Sequence, residues 1–181
     1  REYAVLLDQA TRRASFTPDN YSRGGAIEAL EAKFAARLGK EAAIFLPTGT
    51  LANHLAVRKL AGNRPRVLAQ AESHLYNDTG DCVQRLSGIH LVPLARDRVY
   101  FTLEEVKAAV ERSETGRVSN PVGALMIESP VRRQHGQVMP LDEMARVTEF
   151  CASITWAPSA PSVASYASPV GPQNSSTPPP P

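Results

Sequence analysis

Short apolar runs alternate with amphipathic stretches along most of this chain, and that alternation limits the fold more than any other feature. Arg66–Gln70 and Ile89–Leu94 read as short strands, Val122–Ile127 is apolar and strand-like, and Ala42–Leu46 is an apolar run of strand length stopped by Pro47. Helical patterns lie between them. From Gly25 to Leu38, Ile27, Leu30, Phe34 and Leu38 recur at helical spacing, Glu28, Glu31, Lys33 and Arg37 fill the other face, and Gly39 is a natural stop. A second helix opens after Thr50, carrying Leu51, Leu55, Val57 and Leu60. Leu103–Arg112 reads as a third, with Thr102 as N-cap and Glu105 at the capping-box position. Pro140–Phe150 reads as a fourth, with Pro140 at its first position. A weaker helix is expected near Cys82–Leu86, and residues 71–78 read as polar and irregular. Strands alternating with helices predict an α/β fold, a mostly parallel sheet with flanking helices.

Composition narrows the function classes. A chain of 181 residues can bury one good-sized core. A net charge of +2, with Arg and Lys scattered among acids, argues against a nucleic-acid partner. No apolar run approaches the roughly 18 residues that a membrane span needs. Cys82 and Cys151 fit no metal spacing or disulfide framework, so reduced, buried thiols in a cytoplasmic protein are expected. Arg1-Glu2-Tyr3 has no Met and no signal-peptide core, which suggests a fragment or a processed start.

The composition changes sharply after Glu149. No charged residue appears from Phe150 to Pro181, and from Ala157 onward the chain is mainly Ala, Ser and Pro. Such a segment cannot bury enough apolar surface to offset its ordering entropy. The expected organisation is an N-terminal segment 1–24, an α/β domain 25–151, and an uncharged, disordered tail 152–181. The tail is either a natural flexible segment or the product of a shifted reading frame.

Thr48-Gly49-Thr50 is the first candidate site. An apolar run, a hydroxyl-rich turn and a helix start in that order aim free amides, two hydroxyls and the positive end of a helix dipole at one point. A phosphate or small anion suits such a point. The plainer reading is that a Thr before a helix only caps its first amides. The chain has neither Gly-x-Gly-x-x-Gly nor the Walker-type Gly-Lys-Ser/Thr, which disfavours an unrelated α/β nucleotide-binding domain.

Four stretches, in order, resemble the threonine aldolase and aromatic amino acid β-eliminating lyase family, pyridoxal-phosphate (PLP) enzymes of the aspartate aminotransferase fold type. They are Tyr21–Glu31, Leu38–Asn53, Glu72-Ser73-His74-Leu75-Tyr76, and Ile127-Glu128-Ser129-Pro130 through Gly136–Leu141. The resemblance covers roughly 19–151. It implies that Thr48, Gly49 and Thr50 hold the cofactor phosphate, with Gly49 allowing close backbone approach. It implies that His74 lies over the pyridine ring and serves proton transfer. Without it, His74 would read as a surface-loop histidine. Arg132 and Arg133 could meet a substrate carboxylate, or simply be solvated. The substrate class implied is a β-hydroxy or β-substituted amino acid, cleaved by a homo-oligomer.

The chain also departs from that family. The family's Glu-Asn-Thr-His is here Glu128-Ser129-Pro130-Val131, so its second histidine is matched by Val131, which has no acid–base capacity. The family's aspartate against the pyridine nitrogen and its Schiff-base lysine are absent. Lys33, Lys40, Lys59 and Lys107 do not sit at the lysine's position. The expectation is negligible activity for this chain alone. The alternative is a non-catalytic fragment with an exposed sheet edge.

Overall fold

Three five-residue strands form a parallel sheet in the order β2-β1-β3, with β1 Arg66–Gln70, β2 His90–Leu94 and β3 Val122–Met126. They belong to a computed structural model that describes residues 1–12, 20–21 and 23–154. The helices are α1 Glu2–Arg12, α2 Gly25–Leu38, α3 Gly49–Ala61, α4 His74–Asn77, α5 Cys82–Ser87, α6 Leu103–Glu114 and α7 Leu141–Ser153. A 3-10 turn spans Arg132–Gln134. The expected parallel sheet with flanking helices is the fold observed. Among the described residues no helix is long and apolar enough to cross a membrane. The expected tail lies, beyond Ile154, outside the described residues.

The chain divides into two compact units, Arg1–Leu51 and Ala52–Pro181. In the first unit α2 has its predicted limits. The Gly24 amide donates to the Glu28 carboxylate at 2.7 Å, and Gly39 ends the helix in the left-handed region at φ 59°. Gly39 and Lys40 return their amides to Ala36 and Ala35, which closes the last turn. The apolar face predicted for α2 is uncovered among the described residues: Leu30, Phe34 and Leu38 are exposed and only Ala35 is buried. Helix α1, which periodicity did not announce, likewise exposes Tyr3, Val5, Leu6 and Leu7.

The second unit is a helix–sheet–helix sandwich. On one face Val67, Leu91 and Ala124 pack with Val57 and Ala61 of α3, Leu75 of α4 and Val83 of α5. On the other, Leu68 and Val122 pack with Leu103, Val106 and Val110 of α6, Val147 of α7, Phe101 and Met139. Neighbours Val67 and Leu68 face opposite cores, as a pleated strand requires. Residues 122 and 124 would ordinarily share a face. They do not, because Arg66 pairs with Val122 and Val67 with Ala124, leaving Gly123 as an unpaired extra residue.

The helix starts are chemically specified. Thr102 Oγ accepts from the Glu105 amide at 3.3 Å, and the Glu105 carboxylate accepts from the Thr102 amide at 2.9 Å. The predicted capping box on α6 is therefore complete. At α7, Pro140 is the N-cap and Leu141 the first helical residue, so the proline sits one position earlier than expected. Its fixed φ suits either position, and spacing alone does not separate them. Cys82 and Cys151 are free thiols, as expected, but both are half-buried rather than buried.

Candidate cofactor-binding site

In the first unit, the turn ahead of α3 departs from expectation in one respect. Ala42–Leu46 is not a strand. Among the described residues no strand pairs with it, and an apolar run without a ladder partner cannot be a sheet member. Ile44 and Phe45 are exposed, and the Phe45 amide donates to the Glu31 carboxylate of α2 at 2.6 Å. Pro47 and Thr48 then lead into a helix of 13 residues. Thr48 Oγ accepts from the Leu51 amide at 3.2 Å, so Thr48 does cap the helix. The Gly49 and Thr50 amides are among the first-turn donors with no intrahelical acceptor. The turn thus presents donors at the positive end of a helix dipole, a donor set that fits a phosphate group.

His74 is in the second unit, at the C-terminal end of the sheet. Residues 71–78, expected to be irregular, contain the single helical turn α4. Ser73, fully buried, caps it: its hydroxyl donates to the Gln70 carbonyl at 2.7 Å and accepts from the Tyr76 amide. The Asn77 side chain donates to the carbonyls of Ala71 and Ser73. His74 is half-buried. Its amide donates to the Glu128 carboxylate, and its Nδ1 is buried with no hydrogen-bond partner among the described residues.

The position in the topology is informative. After β1 the chain turns onto the α4–α5 face of the sheet; after β3 it turns onto the α6–α7 face. Adjacent strands β1 and β3 therefore send their connections to opposite faces. In open parallel sheets such a switch point, at the carboxyl ends of the strands, is where ligands bind. His74 and Glu128 sit there.

Sequence reasoning missed Gln70 and Asp78. Gln70 is the last residue of β1 and fully buried. Its side chain donates to the carbonyls of Val99 and Glu128 and accepts from the Glu128 amide. A glutamine directly after the apolar run Val67-Leu68-Ala69 was the available signal. Asp78 receives Arg132 at 2.7 Å and Arg133 at 3.0 Å, and Glu72 lies 3.7 Å from Arg133. The Arg132 hydrogen bond holds the Asp78 carboxyl below its ordinary range against the opposing effect of burial, with Arg133 and His74 adding attraction. Arg132 and Arg133 are therefore ion-paired, not simply solvated. Val131 is fully buried and pairs across its loop with Gln137, while His135 and Gly136 turn the loop at positive φ.

Residues 6–155 match the family model described as beta-eliminating lyase. The chain belongs to the beta-eliminating lyase family. It is 30% identical over 124 residues to the low specificity L-threonine aldolase of Saccharomyces cerevisiae, which covers 67% of this chain and 31% of that protein. It is 32% identical over 135 residues to the aldolase vrtJ of Penicillium aethiopicum, covering 73% of this chain and 34% of that protein. A solved structure from Listeria monocytogenes EGD-E, assigned as an L-allo-threonine aldolase, superposes with a TM-score of 0.66 at 31% identity. It covers 76% of this chain and 36% of that one. The Leishmania major threonine aldolase shares the fold, at a TM-score of 0.67 and 16% identity. The chain spans about a third of the length of the curated relatives it matches.

Proposed function

We propose that this chain contributes to a PLP-dependent, threonine aldolase-like lyase that cleaves a β-hydroxy or β-substituted amino acid. The observation that carries the reading is the family match over residues 6–155, in a family that is PLP-dependent in general. Bound PLP supplies an electron sink for a carbanion at the substrate Cα. The chain's own residues supply binding and orientation. The Gly49 and Thr50 amides, with the Thr48 and Thr50 hydroxyls, take the phosphate. His74 faces the ring and holds or moves a proton through its imidazole. Arg132 and Arg133 meet a substrate carboxylate with guanidinium groups that Asp78 and Glu72 already orient.

Two further parts of the reading concern what these residues do not do. Val131 is buried and apolar, so it moves no proton at the substrate β-hydroxyl. Lys33, Lys40, Lys59 and Lys107 are all exposed, on or beside helices, and none is the covalent partner of the cofactor. The reading includes a cytoplasmic location, assembly as a homo-oligomer, and the division into 1–24, 25–151 and 152–181 given above.

The test uses 4′-deoxypyridoxine 5′-phosphate, which has the phosphate but no aldehyde to react with lysines. Equilibrium dialysis should show binding that its dephosphorylated counterpart lacks. Thr50→Val should weaken it about tenfold, the loss expected for one hydrogen bond to a charged group. Equal binding of the two compounds would overturn the phosphate assignment.

A further inference from the structure

We infer that Glu128 is a positioning residue for His74, and that Gln70 sets Glu128 in place. The starting point is the end of the β1–β3 ladder. Beyond Met126 the strands no longer pair, yet Gln70 continues the ladder with its side chain. Its Nε2 donates to the Glu128 carbonyl at 2.8 Å, and its Oε1 accepts from the Glu128 amide at 2.7 Å. That is a two-bond exchange with one residue, of the kind a hydrogen-bonded antiparallel pair makes, here made by a side-chain amide at the end of a parallel ladder. The second Nε2 hydrogen goes to the Val99 carbonyl at 3.2 Å. A fully buried glutamine with its amide group engaged on both sides has no freedom to move.

The Glu128 backbone is thereby fixed, and its carboxylate reaches two ways. Oε2 accepts from the His74 amide at 2.5 Å, and Oε1 accepts from the Arg132 amide at 3.1 Å. One charged group thus ties the first residue of α4 to the first residue of the 3-10 turn. Bonds of this kind to a charged acceptor are roughly twice as strong as neutral ones.

The tether matters because, among the described residues, no hydrogen bond to the buried Nδ1 places the imidazole directly. Helix α4 has four residues, far below the length at which a helix persists on its own. The imidazole Nδ1 makes no hydrogen bond to any described residue. The ring therefore goes where the His74 backbone goes, and Glu128 holds that backbone from the β3 side while the Ser73 and Asn77 side chains anchor the rest of α4. This inference rests on the proposed role of His74 at the cofactor ring, but its test is made on the cofactor-free chain.

The test is NMR of the full-length labelled chain, following the His74 and Arg132 amides and the His74 ring carbons. Glu128→Gln retains one acceptor oxygen but replaces the other with a donor, so the two amides cannot both be held. Hydrogen exchange at one of them should speed up by about tenfold or more, and the His74 ring signals should move. Gln70→Met should shift the same ring signals in the same direction, although no hydrogen bond joins Gln70 to His74 among the described residues. Glu149→Gln, on the exposed side of α7, should move none of them. Unmoved ring signals in both variants would reduce Glu128 to a helix cap and overturn the inference. If Glu128→Gln does not fold, Glu128→Asp keeps the charge one methylene shorter and should release one of the two amides. Full protection of both in that variant would also overturn it. Failure of the phosphate test with these signals intact would sink the proposed function and leave this inference standing.

Discussion

The Glu143 carboxylate of α7 accepts a hydrogen bond from the Leu103 amide, the first amide of α6, at 2.6 Å. Glu143 is only 8% exposed, and its other oxygen pairs with Arg146 at 2.7 Å. Two helices on one face of the sheet are thus locked by a cap donated from one to the other, at the positive end of the α6 dipole. Glu143→Ala strands a buried amide, and the expected loss is about 1–3 kcal/mol of unfolding free energy. Glu143→Gln, which retains an acceptor, should lose less. Urea midpoints of wild type and the two variants decide it; variant midpoints equal to that of the wild type would show that the charge and the cap contribute nothing.

Gly123 is fixed by space rather than by backbone angle. A Cβ there would lie 2.6 Å from the Ala61 carbonyl oxygen and 2.8 Å from the Arg64 Cβ, with the Arg64 carbonyl oxygen closer still. These are backbone and stem atoms of the turn joining α3 to β1, which cannot swing away. The bulge at Gly123 also decides that Val122 and Ala124 serve opposite cores. Gly123→Ala should cost about 1–3 kcal/mol through overpacking, read as a lowered thermal midpoint. An unchanged midpoint would mean the β3 contact is looser than its geometry.

Much of this architecture could be read from the chain, and two of the failures share one cause. β1 and α2 match their predicted limits because apolar runs and glycine stops are local signals. The α6 cap was legible because Thr102 and Glu105 carry their own bonding instructions. Ala42–Leu46 was misread because its composition suits a strand while strand formation requires a partner. His74 and the Thr48–Thr50 turn were visible as residues, through their resemblance to a family. Gln70 and Glu128 were not visible as a pair, since their meeting depends on which strand lies beside β1. No local pattern states the order β2-β1-β3.

Burial raises the Cys151 thiol to about 11. The thiolate is the reactive form, so at pH 8 little of it exists in the folded chain. Relative to an ordinary thiol, alkylation of Cys151 should be slowed about a hundredfold by the two-unit rise alone. Adding urea should restore normal reactivity as α7 leaves the core. Peptide mapping after timed iodoacetamide labelling is the measurement. Rapid native-state labelling of Cys151 would contradict its placement.

Asp78 gives the acid limb of stability its expected sign. Its native carboxyl titrates below the ordinary value of 3.8, chiefly because Arg132 donates to it, with Arg133 nearby. A carboxyl depressed in the folded state binds fewer protons there than in the unfolded chain. Its contribution is therefore fully present above pH 3.8 and declines as pH falls through the native value. Glu105 behaves in the same direction: burial raises it, but the Arg98 and Thr102 hydrogen bonds outweigh that and lower it overall. Asp78→Asn should reduce the urea midpoint at pH 7 and make no difference once pH lies below both native and unfolded values. High salt should shrink the pH 7 difference, because Arg132 and Arg133 are exposed enough to be screened. If the wild type and Asp78→Asn curves run parallel from pH 7 down to pH 2, the ion pairs do not stabilise the 131–137 loop against α4.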